Sequence, residues 1–185
     1  MTCRVVLVAP AITPSLRRAR FDDGDSIENP GAVALALPAA GRAVSSPSVR
    51  CRETAAALGL DASVEPALAG LDAGRWRGRT LEEVGAAEPQ ALVRWLSEPG
   101  AAPHGGESVR EFCARVTAWL ETAGGTAGRT VAVVEPEVVR AVVLHALGAP
   151  ETAFWRVDVP PLTATEVTGG PGRWNVRLGQ VGGRP

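Results

Sequence analysis

Glu135 and Glu137 directly follow the apolar run at residues 130–134. A carboxylate at the carboxyl end of a buried parallel strand lies where open α/β sheets place their ligands. Burial there raises its pKa, which suits a general acid or base. Glu135 is therefore the leading catalytic candidate, with Glu137 as a substrate contact. The competing structural reading has Glu135 solvated or paired with Arg50 or Arg140, and Glu137 capping the following helix. Glu107 poses the same choice: a second catalytic carboxylate, or the acidic residue that a helix N-terminus favours anyway.

The two histidines divide differently. His104, beside Gly105 and Gly106, is either a relocated base or ligand contact or an exposed loop residue. His145 lies in a predicted helix and reads as a packed or capping side chain. Neither has metal-ligand spacing with another His or Cys, so no metal and no other cofactor is expected. Cys3, Cys51 and Cys113 each fall in a predicted element and read as small buried hydrophobes. Of the five tryptophans, Trp76 and Trp155 are candidates for lining a pocket and the others for packing. The group Arg17, Arg18 and Arg20 reads as a solvated loop face.

The elements that must position these groups alternate along the chain. Residues 3–8 and 130–134 are nearly unbroken apolar runs, as expected for strands covered on both faces of a parallel sheet. Residues 15–30 are polar and irregular, 31–37 a short apolar helix, and 43–45 a short strand. A helix is expected over 48–58 and another strand over 64–68. Thr80 with Glu83, and Ser108 with Glu111, form capping boxes that open helices. The second of these is amphipathic, with Val109, Phe112, Val116, Trp119 and Leu120 on one stripe. Residues 89–96 and 138–147 are helical, and 153–159, 163–167 and 174–178 are extended. Strands alternating with helices predict an α/β sheet packed on both faces, in one domain over residues 1–185.

A net charge of -1 gives no electrostatic reason for a nucleic-acid or anionic-membrane partner. No apolar run approaches the roughly 20 residues that span a bilayer. The first residues lack a charged-then-apolar signal pattern, so a soluble cytoplasmic protein is expected. The absence of lysine and tyrosine, with abundant Ala, Gly, Val and Pro, fits a high-GC genome of the actinobacterial kind.

Five segments, in order, resemble one known family. Val5-Val6-Leu7-Val8-Ala9-Pro10-Ala11-Ile12-Thr13 is similar to the first strand and signature loop of the histidine phosphatase (phosphoglycerate mutase-like) superfamily. The family's Arg-His pair there is replaced by Ala9 and Pro10. Ser45-Ser46-Pro47-Ser48-Val49-Arg50-Cys51-Arg52-Glu53-Thr54-Ala55 resembles a second motif, in which Arg50 takes the position of a phosphate-clamping arginine. Leu71 to Thr80 resembles the Gly-x-Trp-x-Gly-x-Thr loop, whose leading acid is Gly70 here. Pro103-His104-Gly105-Gly106-Glu107-Ser108 is similar to the family's Gly-Gly-Glu-Ser loop. Val131 to Arg140 resembles the second signature, with Glu135 or, one residue on, Pro136 at the second histidine's position.

The resemblance implies a three-layer α/β/α fold with a mostly parallel central sheet, and it implies a phosphate pocket. Histidine phosphatase chemistry needs a nucleophilic imidazole, charge neutralisation at phosphorus and a proton donor. Pro10, Ala9 and Gly70 supply none of these. Two unit charges about 4 Å apart interact by roughly 4 kcal/mol at an effective dielectric near 20, so a Glu135 carboxylate penalises phosphate. The expectation is a fold without phosphatase or mutase activity, repurposed for acid–base chemistry on a neutral or cationic small molecule, in specialised metabolism. Glu135 and Glu107 would act on it; Arg50, Pro10, Trp76, His104 and Glu137 would bind it. The alternative is a catalytically silent binding or scaffold protein. An open cavity faced by Glu135 favours the first, and a cavity filled by Pro10, tryptophans or an Arg50–Glu135 pair favours the second. Oligomeric state is left open.

Overall fold

The computed structural model describes residues 2–22 and 24–177. Its strands are β1 (Cys3–Val8), β2 (Arg42–Ser45), β3 (Ser63–Val64), β4 (Gly128–Val133), β5 (Ala164–Gly170) and β6 (Arg173–Arg177). They form one sheet in the order β3-β2-β4-β1-β5-β6. The β3, β2, β4 and β1 neighbours pair in parallel, and β5 and β6 join antiparallel. The two apolar runs are the central strands β4 and β1, where a continuous hydrophobic sequence is needed because both faces are covered.

The helices are α1 (Pro14–Arg17), α2 (Val49–Ala57), α3 (Leu81–Ala87), α4 (Pro89–Ser97), α5 (Val109–Gly124) and α6 (Pro136–Leu147). Period-two alternation sorts the strand side chains between two layers. Val6, Val8, Val131 and Val133 pack with Cys51 and Ala55 of α2. Val5, Leu7 and Ala132 pack with Phe112, Val116 and Leu120 of α5 and Val138, Val139 and Val142 of α6. The result is the three-layer α/β/α arrangement, with all three cysteines buried in it. Both capping boxes form, at Thr80–Glu83 and Ser108–Glu111. No helix among the described residues is long and apolar enough to cross a membrane.

Several local expectations are corrected by proline. Residues 31–37 form no helix: Pro30–Ala32 makes one 3-10 turn, and the chain then runs extended to Pro38, leaving too few residues for a helix nucleus. The expected strand over 64–68 stops at Val64, because Pro66 starts a 3-10 turn through Leu68. The loop after β1 holds a short helix, α1, with Pro14 at its start and the Thr13 hydroxyl accepting from Leu16 N–H at 3.2 Å. The helix expected from residue 138 begins at Pro136, a residue suited to the first helical position. Residues 153–159 are not extended throughout, since Glu151–Arg156 is a 3-10 helix. Of the last expected strand, Leu178 lies outside the described residues.

One carboxylate fastens the antiparallel edge to the helical layer. Glu121 of α5 accepts from Trp174 Nε1 at 2.8 Å and Gly172 N–H at 2.6 Å, and contacts His145 Nε2 at 2.7 Å. Burial works against its charge, but these partners hold its pKa below the ordinary value. Because the folded pKa is depressed, this stabilisation is complete above the unfolded value and is lost as pH falls through the folded one. Glu121→Gln is expected to cost about 1–3 kcal/mol, the range for leaving polar partners unsatisfied. Urea unfolding between pH 3 and 7 should show a shallower acid-side decline in the variant than in the unsubstituted chain.

Candidate functional site

The sheet order creates the site. β2 is followed by α2 on one face, and its neighbour β4 by α6 on the other, so a crevice opens between their carboxyl ends. Val8 and Val133 are level in the β1–β4 register, which brings Pro10 and Glu135 out side by side beyond the two strands. Glu135 precedes Pro136, and a residue before proline is driven from helical to extended backbone. Its φ of -61° and ψ of 150° hold it at the strand end while the helix starts one residue later. Across the crevice, Ser48 caps α2 by accepting from Cys51 N–H at 3.3 Å, and Arg50 lies in the first turn.

Arg50 and Glu135 meet although they are 85 residues apart. Arg50 Nε lies 3.0 Å and 2.9 Å from the two Glu135 oxygens, and Nη2 lies 2.7 Å from Oε2. The two residues are 4% and 1% exposed, so neither charge is appreciably solvated. Arg50 Nη1 lies 3.9 Å from Asp22 Oδ1 and has no hydrogen-bond partner. The Thr54 hydroxyl donates to the Arg50 carbonyl at 2.7 Å and accepts from Ala11 N–H at 3.0 Å, fastening α2 to the loop beyond β1.

Burial and the neighbouring Glu137 raise the Glu135 pKa, while Arg50 pulls it down. Burial also opposes the Arg50 charge, but the facing carboxylates keep that guanidinium protonated above its ordinary range. Glu137, in the first turn of α6, accepts among the described residues only from Leu71 N–H, at 3.4 Å. Gly70 makes room for both carboxylates. A Cβ at that position would sit 3.1 Å from Glu137 Oε1 and 3.2 Å from Glu135 Cγ, tighter than ordinary contact.

Above this floor is an open cavity of about 740 Å³. Pro10, Arg50, Glu135 and Glu137 line it, as does Trp155. Four arginines (Arg20, Arg50, Arg77, Arg140) and four carboxylates (Asp22, Asp72, Glu135, Glu137) contribute to the wall. Arg140 is half buried; its Nε donates to the Val157 carbonyl at 2.8 Å, and its guanidinium lies 5.5 Å from the centre of the Trp155 ring. Among the described residues, no cluster of three or more His, Cys, Asp and Glu side chains is arranged to hold a metal ion.

Three expected site residues are not brought to the cavity. Trp76 is fully buried behind the wall, where it packs edge-on to Trp95 and His104 and donates from Nε1 to Glu88 at 3.1 Å. His104 is only 2% exposed, neither a loop-surface residue nor a cavity contact. Its Nδ1 accepts from Gly106 N–H at 3.0 Å, and burial lowers its pKa, so the neutral ring is favoured. The motif that carries it packs backbone against backbone on the 72–74 loop. Glu107 N–H donates to the Asp72 carbonyl, and a Cβ on Gly106 would fall 2.0 Å from that oxygen. Glu107 is bound to Arg115 through contacts of 3.0 and 2.8 Å, outside the cavity, and Arg115 braces the carbonyls of Ala67 and Ala69. These three residues build the wall from behind.

Other lining residues were not singled out from the sequence. Trp95, read as packing, supplies one wall and lies 4.3 Å from Trp155, centroid to centroid. Arg20, read as part of a solvated cluster, turns to the cavity because Ala19 adopts a left-handed φ of 48°. The arginine-rich loop has a helical period only through Arg17, so nothing in the local pattern separates Arg20 from its exposed neighbours.

Comparison with known proteins agrees with this architecture. A glucosyl-3-phosphoglycerate phosphatase of Mycolicibacterium vanbaalenii is 34% identical over 122 residues, covering 58% of this chain and 53% of that protein. A bifunctional protein of Mycobacterium tuberculosis is 39% identical over 77 residues, 40% of this chain and 21% of the relative. The chain thus spans a minor part to about half of the curated relatives it matches. The solved structure of a mycobacterial glucosyl-3-phosphoglycerate phosphatase superposes with a TM-score of 0.78 at 23% identity, covering 98% of this chain and 100% of the other. Residues 32–181 match the histidine phosphatase superfamily (branch 1), and the chain belongs to that superfamily.

Proposed function

We propose that this chain is a catalytically silent member of its superfamily, whose cavity binds a small molecule with an uncharged or cationic group at the floor. The observation that carries the reading is the Arg50–Glu135 pair. An arginine that would clamp a phosphate instead spends its Nε and Nη2 on an internal carboxylate. An incoming phosphate would have to displace Glu135 from a buried position and leave a carboxylate uncompensated beside it. Pro10 has no nucleophilic atom, and Gly70 no proton to give. The crowding at Gly70 supports the same reading, since the space of an acid there is taken by Glu135 and Glu137.

The activity named for the phosphatase relatives is the competing outcome. Turnover of p-nitrophenyl phosphate is expected at the no-protein rate. Turnover above it that disappears in Arg50→Ala would refute the silent reading.

A repurposed acid–base enzyme is a second reading, favoured by the open cavity and by Glu137 rather than Glu135. Both Glu135 oxygens are engaged by Arg50, whereas Glu137 faces the cavity with one long backbone contact. In that case Glu137→Gln abolishes turnover of the cavity ligand while ligand binding persists.

The buried pair also makes a stability prediction. Removing one partner of such a pair costs about 3–5 kcal/mol, because the other charge is left in the interior. Replacing both with apolar residues of similar volume is often close to neutral. Arg50→Met and Glu135→Met should each lower the urea midpoint strongly, and the double variant should recover most of that loss. Equal and additive losses would show that the two residues act independently.

A further inference from the structure

Glu135, Glu137 and Arg50 form the floor, while Arg20 and Arg77 reach the wall from half-buried and exposed positions nearer the mouth. The cavity's more exposed wall carries both signs, with Asp22 half-buried and Asp72 exposed beside the arginines. The segments that carry these two arginines are paired: Phe21 N–H donates to the Arg79 carbonyl at 2.9 Å, and Gly78 N–H to the Phe21 carbonyl at 3.0 Å. Each guanidinium is oriented by a backbone carbonyl, Arg20 by Gly78 and Arg77 by Asp22. A guanidinium has five N–H donors, so most remain for another acceptor. Among the described residues, neither arginine has a carboxylate partner within salt-bridge distance. Three nearby acids accept from backbone N–H groups: Glu83 from Thr80, Asp22 from Gly24 and Asp72 from Gly74.

A second observation points to a ligand in the same space. Arg50 Nη1 and Trp95 Nε1 are both buried donors without a hydrogen-bond acceptor, on side chains more than nine-tenths buried, and both residues line the cavity. Orphaned donors of this kind cost free energy unless a bound group satisfies them. Arg50 is already neutralised by Glu135, so the fitting acceptor at the floor is an uncharged oxygen such as a hydroxyl or carbonyl. Full negative charge is accommodated where guanidiniums are unpaired.

We propose that Arg20 and Arg77 form an oxyanion subsite at the cavity mouth, so that the ligand is a small organic acid or phosphoryl ester with its charged end outward and an uncharged polar head on Arg50 and Trp95. This rests on the reading of the floor given above, and it places the anion at the opposite end of the pocket from a phosphatase substrate. Planar guanidinium forks suit both carboxylate and phosphoryl oxygens.

The probe is inorganic phosphate, titrated calorimetrically into the intact chain at low ionic strength, with acetate as the carboxylate counterpart. Saturable binding is expected, weakened at least tenfold in Arg20→Gln/Arg77→Gln and unaltered in Arg110→Gln, a surface arginine paired with Glu151 away from the cavity. Melting temperatures of the variants establish that they are folded, and Arg77→Gln alone tests the exposed member separately. No saturable binding, or binding equal in the Arg20→Gln/Arg77→Gln variant, overturns the subsite and leaves the silent reading standing. Binding retained in that variant but lost in Arg50→Met/Glu135→Met places the anion at the floor and overturns both.

Discussion

The Arg50 guanidinium and the Glu135 carboxylate are buried together where β2 and β4 send their helices to opposite faces of the sheet, and the pocket is organised around that pair. Each ion alone would face a desolvation cost of several kcal/mol. Mutual attraction and charge-assisted hydrogen bonds offset that cost only while both remain in place. The constraint therefore reaches outward. Pro136 holds Glu135 at the strand end, Thr54 fastens the Arg50 backbone to the loop beyond β1, and Gly70 leaves space for the carboxylates.

That pair also decides what the scaffold can do. The fold supplies a strand-end crevice, and the arginine at its floor faces an anion that belongs to the chain. A cavity of about 740 Å³ persists above it, so the fold keeps a place for a ligand while the floor carries no free positive charge. Arg20 and Arg77, without carboxylate partners among the described residues, stand in and beside the pairing of residues 20–21 with 78–80.

The residues behind the wall show why type and spacing were a partial guide to the site. His104 and Glu107 lie in a loop whose sequence matches a pocket-side motif, yet their side chains turn away from the cavity. The close approach of Gly106 to the Asp72 carbonyl sets that loop backbone-to-backbone against its neighbour, and the side chains are left to aromatic packing and to Arg115. Trp76 and Trp95 pack in one aromatic cluster, but only Trp95 reaches the cavity. A helical period cannot make that distinction, because it depends on how α4 lies against the rest of the wall.

What the sequence determined by itself was local: the two buried strands, the capping boxes that open α3 and α5, the proline that sets Glu135 at a strand end, and the order of strands and helices that requires a layered α/β sheet. These follow from periodicity, capping chemistry and proline stereochemistry, which act over a few residues. Tertiary structure alone decided which arginine meets Glu135. Both Arg50 and Arg140 were open candidates, and the crevice brings Arg50 to the carboxylate while Arg140 is drawn to the Val157 carbonyl and the Trp155 ring. It also decided that Arg20 lines the pocket, that Trp95 rather than Trp76 does so, and that a cavity remains open above the Arg50–Glu135 pair. Such pairings join residues as many as 85 positions apart, and their energy depends on burial and distance that no local pattern encodes.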